Sequence, residues 1–128
     1  MSGNTKDRKK ILVVDDNEMH LVTVELFLKN EYEIIKMKSG KEALDFFHTS
    51  EIIPDIILLD ILMPEMDGWE LFKKMREISK LKDIPIVFLT TIDDKEEKKR
   101  ALKMGISDYI IKPYNMAVLK KNISDLVK

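Results

Sequence analysis

The fold class this sequence predicts is α/β: a five-stranded parallel sheet, doubly wound, with helices on both faces. Three observations predict it. Short β-rich runs recur five times, at residues 11–14, 32–37, 56–59, 84–89 and 108–111. Between them lie segments whose apolar residues follow helical spacing, so each strand is followed by a crossover of the kind that parallel pairing needs. Finally, Ile11-Leu12-Val13-Val14 and Ile56-Ile57-Leu58-Leu59 are apolar throughout rather than alternating, as expected of strands covered on both sides. Right-handed crossovers then distribute the helices over both faces.

Composition bounds the function. A chain of 128 residues suits one domain with one core. Lys and Arg number 22 against 23 Asp and Glu, a net charge of -1 that argues against a direct nucleic-acid binder. With no cysteine and only His20 and His48, neither a disulfide framework nor a thiolate or zinc site is expected. No apolar run approaches a membrane span, and no signal-peptide core is visible, so the expected location is the cytoplasm. Residues 1–9 are polar and basic and read as a disordered or vector-derived lead-in, leaving 10–128 as the domain.

The elements follow in order. The first strand ends in Asp15-Asp16-Asn17, where Asp16 or Asn17 can cap a helix to about Lys29 that buries Leu21, Val24 and Leu28. After the second strand, Ser39 and Glu42 have capping-box spacing and open a helix that buries Ala43, Leu44 and Phe47. Pro54-Asp55 breaks that segment before the third strand, which runs into Asp60. Pro64 and Gly68 turn the chain, and Asp67 caps a helix carrying Leu71, Phe72, Met75 and Ile78. The fourth strand ends in Thr90-Thr91. Asp93 or Asp94 caps a charged helix that Gly105 closes, with Asp94–Lys98 and Glu96–Arg100 as expected i,i+4 pairs. The fifth strand ends in Lys112-Pro113, and Asn115 caps a last helix with Val118, Leu119, Ile123 and Leu126 facing inward.

In open parallel sheets, ligands bind beyond the carboxyl ends of the strands. Those ends carry Asp15 and Asp16, Asp60, Thr90 and Lys112, while the second strand ends without a comparable group. Singly, each has an ordinary reading: a helix cap, a turn residue, strand filler, a surface lysine. Together they form a constellation at one end of the sheet. Clustered carboxylates repel unless a cation intervenes. Hard oxygen ligands without His or Cys suit Mg²⁺. Beside such an ion, an ammonium and a hydroxyl suit a phosphoryl group, which a carboxylate can accept as an acyl phosphate.

The sequence resembles the receiver domain of two-component response regulators. The resemblance rests on Val13-Val14-Asp15-Asp16-Asn17, Leu58-Leu59-Asp60 with Met63-Pro64 and Asp67-Gly68, Thr90, Gly105, and Asp108-Tyr109-Ile110-Ile111-Lys112-Pro113. It implies a flavodoxin-like strand order 2-1-3-4-5. It implies that Asp60 is the phosphoacceptor, served by a sensor histidine kinase or a phosphotransfer protein. Mg²⁺ would be bound by Asp16, Asp60 and the backbone carbonyl of Leu62, with Asp15 helping through water. Lys112 and Thr90 would contact the phosphoryl group, Tyr109 would be the aromatic switch, and Lys112–Pro113 would be cis. An effector or a homodimer partner would read the face built from the fourth helix, fifth strand and fifth helix. Leu62 and Ile92 stand where a polar residue speeds dephosphorylation in this family, so a long-lived phosphorylated form is expected. The chain departs from the family pattern at Thr91, which could crowd the site, and at Ile106 and Ser107, which do not present the expected dimer-face charges.

Two other readings are weaker. A haloacid-dehalogenase-type Mg²⁺-dependent phosphotransferase or phosphatase would need an aspartate where Leu62 stands. A flavodoxin-like nucleotide or flavin module would need a Ser/Thr/Gly-rich loop where Asp15-Asp16 stand. Trp69 is expected to pack near the site and report on it by fluorescence. His20 is placed on the first helix near solvent, and the methionines are read as core or turn filler.

Overall fold

The computed structural model describes residues 8–127. Five parallel strands, β1 (Lys10–Val14), β2 (Glu33–Met37), β3 (Ile56–Asp60), β4 (Ile86–Thr90) and β5 (Asp108–Ile111), form one sheet in the order β2-β1-β3-β4-β5. The helices are α1 (Glu18–Leu28), α2 (Gly40–Thr49), α3 (Gly68–Arg76), α4 (Lys95–Lys103) and α5 (Met116–Leu126). Helix α1 and α5 pack on one face of the sheet, and α2, α3 and α4 on the other.

This division follows from strand periodicity. Ile11, Val13, Ile56, Leu58, Val87 and Leu89 point to the α1/α5 side. Their neighbours Leu12, Val14, Ile57, Leu59, Ile86 and Phe88 point to the other. Strands β3 and β4 are buried along their whole length. Such burial is why the sequence shows no alternation there.

The caps are polar side chains doing what their spacing predicts. Asn17, Ser39, Asp67, Asp94 and Asn115 each accept a backbone N–H of the first helical turn. At the start of α2, Glu42 reaches back to the N–H of Lys38 rather than to that of Ser39. Gly105, at φ 106, ends the chain's path out of α4 in the left-handed region.

Several expectations are corrected. Strand β4 begins at Ile86 rather than at residue 84, because Ile84 and Pro85 precede the ladder. Val118 is 52% exposed, so α5 buries Leu119 and Ile123 and leaves Val118 on its outer surface. Leu44 and Ile78 are only half-buried. In α4, Glu96 pairs with Lys99 instead of Arg100, whose guanidinium lies over Trp69, and Asp94 is occupied as the cap. The lead-in reading of residues 1–9 lies mostly outside the described residues. Where it overlaps them, Lys9 already accepts the N–H of Glu33, and Arg8 donates to the carbonyl of Lys29. Among the described residues no helix is long and apolar enough to cross a membrane.

Candidate functional site

The predicted residues converge at the carboxyl end of the sheet. Asp15 follows β1, Asp60 is the last residue of β3, Thr90 ends β4, and Lys112 follows β5. Asp15, Asp16 and Asp60 each offer an oxygen within 4.8 Å of the others. Asp15 and Thr90 are fully buried, Asp60 is 7% exposed, and Asp16 faces solvent. Backbone hydrogen bonds fix the strand ends that carry them: Asp15 N–H donates to Met37, and Lys112 N–H to Thr90 at 2.7 Å.

Lys112 Nζ lies 3.0 Å from Asp15 Oδ2 and 3.8 Å from Asp60 Oδ1. The ammonium thus leans toward Asp15 and is shared only loosely with Asp60. The two carboxyls respond differently. Burial opposes ionisation of Asp15, yet hydrogen bonds from His20, the Asn17 N–H and Lys112 outweigh it and hold the carboxyl below its usual range. Burial also dominates at Asp60. Lys112 and the Leu62 N–H pull the other way, but Asp15 and Asp16 add repulsion, and the result is a value pushed up to about 6. In the absence of a cation, Asp60 carries the uncompensated charge of the cluster.

This donor set fits Mg²⁺: hard carboxylate oxygens on a solvent-facing edge, with no imidazole or thiolate required. Thr90 Oγ1 accepts the Ile92 N–H at 3.1 Å, a bond that does not use the hydroxyl hydrogen. Tyr109 is buried, and its hydroxyl donates to the Ile92 carbonyl at 2.9 Å, tying β5 to the loop before α4. Leu62 directs its N–H to the Asp60 carboxylate while its side chain is 55% exposed. Thr91 is also exposed. The Lys112–Pro113 peptide is cis.

Gly68 explains why the turn after Asp60 carries a glycine. Its N–H donates to the Ile61 carbonyl, and an added Cβ would stand 2.6 Å from the backbone oxygen of Asp60. No side chain fits between α3 and the strand end.

Two contacts beside the site, His20 with Tyr114 and Trp69 with Glu97, carry no signal in the sequence. His20 is not a solvent-facing bystander: its Nδ1 bonds Asp15 and its Nε2 bonds the Tyr114 hydroxyl. Trp69 does pack near the site, and its indole N–H donates across to Glu97 on α4. His20 lies five residues after Asp15, a spacing that a first helical turn can close. Tyr114 is distant in sequence, so no local signal pairs it with His20.

Comparison with known proteins agrees with this fold. The pattern of the response regulator receiver domain matches residues 11–124. The chain belongs to the response regulator receiver domain family. Receiver domains are regulatory switches of two-component signalling. The Chemotaxis protein CheY homolog of Campylobacter jejuni is 36% identical over 124 residues, covering 92% of each chain. The probable transcriptional regulator ycf27 of Cyanophora paradoxa is 32% identical over 127 residues, 95% of this chain but 49% of that protein. The receiver chain thus spans about half the length of that relative. The chemotaxis response regulator CheY4 of Vibrio cholerae superposes with a TM-score of 0.84 at 32% identity, over 93% of this chain and 98% of its own. Both the fold and the strand order predicted from the sequence are therefore those of the receiver family.

Proposed function

We propose that this receiver domain, spanning residues 10–128, accepts a phosphoryl group on Asp60 from a phosphohistidine of a sensor histidine kinase or phosphotransfer protein. The observation that carries this reading is the cluster of Asp15, Asp16 and Asp60 with Lys112 against it. The Asp60 carboxylate attacks phosphorus; the P–N bond of the donor breaks, an acyl-phosphate P–O bond forms, and the imidazole leaves with a proton from solvent. Asp16, Asp60 and the Leu62 carbonyl would hold Mg²⁺ directly, with Asp15 acting through water. A bound Mg²⁺ would neutralise charge on the carboxylates and on the phosphoryl oxygens.

This chain's own residues do the rest. Lys112 moves from Asp15 toward the phosphoryl group. Thr90 donates its hydroxyl hydrogen to a phosphoryl oxygen. Because Thr90 and Tyr109 both bond Ile92, that movement is transmitted to the loop before α4. The face made by α4, β5 and α5 then changes its preferred partner, an effector or a second copy. Neither Leu62 nor Ile92 offers a side chain that can orient an attacking water, so the acyl phosphate decays slowly. The cytoplasm is where a kinase-served switch of this kind would act.

The test is labelling with acetyl phosphate or a kinase in Mg²⁺. The wild type should be labelled on one carboxylate, and Asp60→Asn should not. Stoichiometric labelling of Asp60→Asn would overturn the assignment.

A further inference from the structure

We propose that His20 is a positioning residue for Asp15: it keeps that buried carboxylate paired when Lys112 turns to the phosphoryl group on Asp60. The inference rests on the phosphoacceptor reading above and adds a residue to it.

The starting point is the environment of Asp15. Its carboxylate is 1% exposed and is met by three donors. Asn17 N–H donates to Oδ1 at 2.9 Å, Lys112 Nζ to Oδ2 at 3.0 Å, and His20 Nδ1 to Oδ2 as well. A carboxylate only accepts, so Nδ1 carries the hydrogen. On the far side of the ring, Nε2 meets the Tyr114 hydroxyl. Burial, reinforced by the charge of Asp15, pushes the Tyr114 phenol up, so it stays protonated and is available as the donor. In the neutral imidazole a chain of hydrogen bonds runs from Tyr114 O–H to His20 Nε2, and from His20 Nδ1–H to Asp15. Each bond fixes the direction of the next, and the Tyr114 bond selects the imidazole tautomer that Asp15 needs.

The need for this chain lies in the position of Lys112. One ammonium sits between two carboxylates, closer to Asp15 than to Asp60. The acyl phosphate on Asp60 carries about -1.5 to -2 charges in place of the carboxylate's single one, and it draws the ammonium toward itself. Asp15 Oδ2 would then be a buried, ionised acceptor with its strongest partner gone. Leaving such a charge unpaired is strongly unfavourable. His20 prevents this, because its N–H reaches the same oxygen from the α1 side and does not depend on where Lys112 goes. Helix α1 and the segment after β5 are thereby joined at the site by a pair that none of the receiver motifs contains.

The experiment measures beryllofluoride binding in Mg²⁺ by ¹⁹F NMR for the wild type, His20→Leu, His20→Asn and Asp60→Asn. His20→Leu fills the space but has no N–H and should bind about tenfold more weakly, the scale of one hydrogen bond to a charged group. His20→Asn keeps an N–H at the position of Nδ1 and should recover most of that loss, which a purely space-filling role would not predict. Nitrogen-15 spectra of the wild-type imidazole should show the Nδ1–H tautomer. If His20→Leu does not fold, Tyr114→Phe serves instead, with the expected outcome of a shift toward the Nε2–H tautomer and weaker binding. Wild-type affinity in His20→Leu, equal losses in His20→Leu and His20→Asn, or an Nε2–H wild-type imidazole would each overturn the role of His20 alone. No binding by the wild type, or binding by Asp60→Asn, would instead overturn the phosphoacceptor reading and this inference with it.

Discussion

The two faces of the sheet are packed in different ways. Between the sheet and α1 and α5 the core is mainly aliphatic, with Tyr32 its one buried ring among the described residues: Ile11, Val13, Leu58, Val87 and Leu89 pack against Leu21, Val24, Leu28, Leu119 and Ile123. On the other face a set of edge-to-face rings runs from α3 across β4 to β5. Trp69 and Phe88 have centroids 5.1 Å apart, and Phe88 and Tyr109 6.3 Å. The ends of this ladder are polar and point at α4: the Trp69 indole N–H donates to Glu97, Arg100 lies 4.3 Å over the indole, and Tyr109 bonds the Ile92 carbonyl. Aliphatic packing is non-directional and resists displacement through volume alone. Rings with polar tips have preferred orientations and discrete partners, which is what an element with two arrangements requires. The first face is built as scaffold, and the second connects the strand ends to α4.

Removing Phe88 is the severest way to break that contrast. Phe88→Ala should cost about 3–5 kcal/mol in chemical denaturation, because the ring is fully buried and touches Trp69, Phe72 and Tyr109. Leu58→Ala, on the aliphatic face, should cost about 2–5 kcal/mol without moving the emission of Trp69. A red shift on Leu58→Ala equal to that on Phe88→Ala would mean that the faces are not separable.

A smaller effect is expected at the charged end of the sheet, where the cost is electrostatic. The unfolded chain titrates Asp60 near the ordinary value of about 3.9, and the folded protein near about 6. Between those values the native state binds more protons, so metal-free stability falls as pH rises through the window. Asp60→Asn removes this penalty. In chelator at pH 7 the variant should be more stable than the wild type by about 1–3 kcal/mol, and at pH 4 the two should converge. Added Mg²⁺ should stabilise only the wild type. A variant that is less stable at pH 7 would contradict the assignment of Asp60 as the strained charge.

At the small end stands Lys41→Ala on the outer surface of α2. The Lys41–Asp45 pair is an exposed i,i+4 contact at 3.1 Å. Its loss should change stability by about 0.5 kcal/mol or less, and a larger change would show that surface charge contributes more to this domain than core packing implies.

Much of this was legible in the sequence because it is local. The caps Asn17, Ser39, Asp67, Asp94 and Asn115 are set within one helical turn, and the strands β1 and β3 announce their burial by unbroken apolar runs. The acid cluster was legible through topology, since parallel strands bring their carboxyl ends together whatever lies between them. What was missed depends on long-range side-chain geometry. His20 bonds Tyr114, 94 residues away, and Trp69 bonds Glu97, 28 residues away; neither spacing carries a signal. Helical spacing pairs Arg100 with Glu96, but an indole face and a carboxylate compete for a guanidinium, and only the packing of α3 on α4 decides. Val118 adjoins Leu119 in the apolar stripe, yet α5 buries only Leu119 and Ile123 and leaves Val118 on its outer surface.

The most direct test of the account is amide hydrogen exchange with and without beryllofluoride in Mg²⁺. Exchange should change in residues 90–104, the end of β4, the loop after it and α4. Residues 21–28 of α1, packed in the aliphatic core, should keep their protection. Unchanged exchange in residues 90–104, or an equal change in residues 21–28, would contradict the claim that a phosphoryl group at Asp60 is read through the aromatic face.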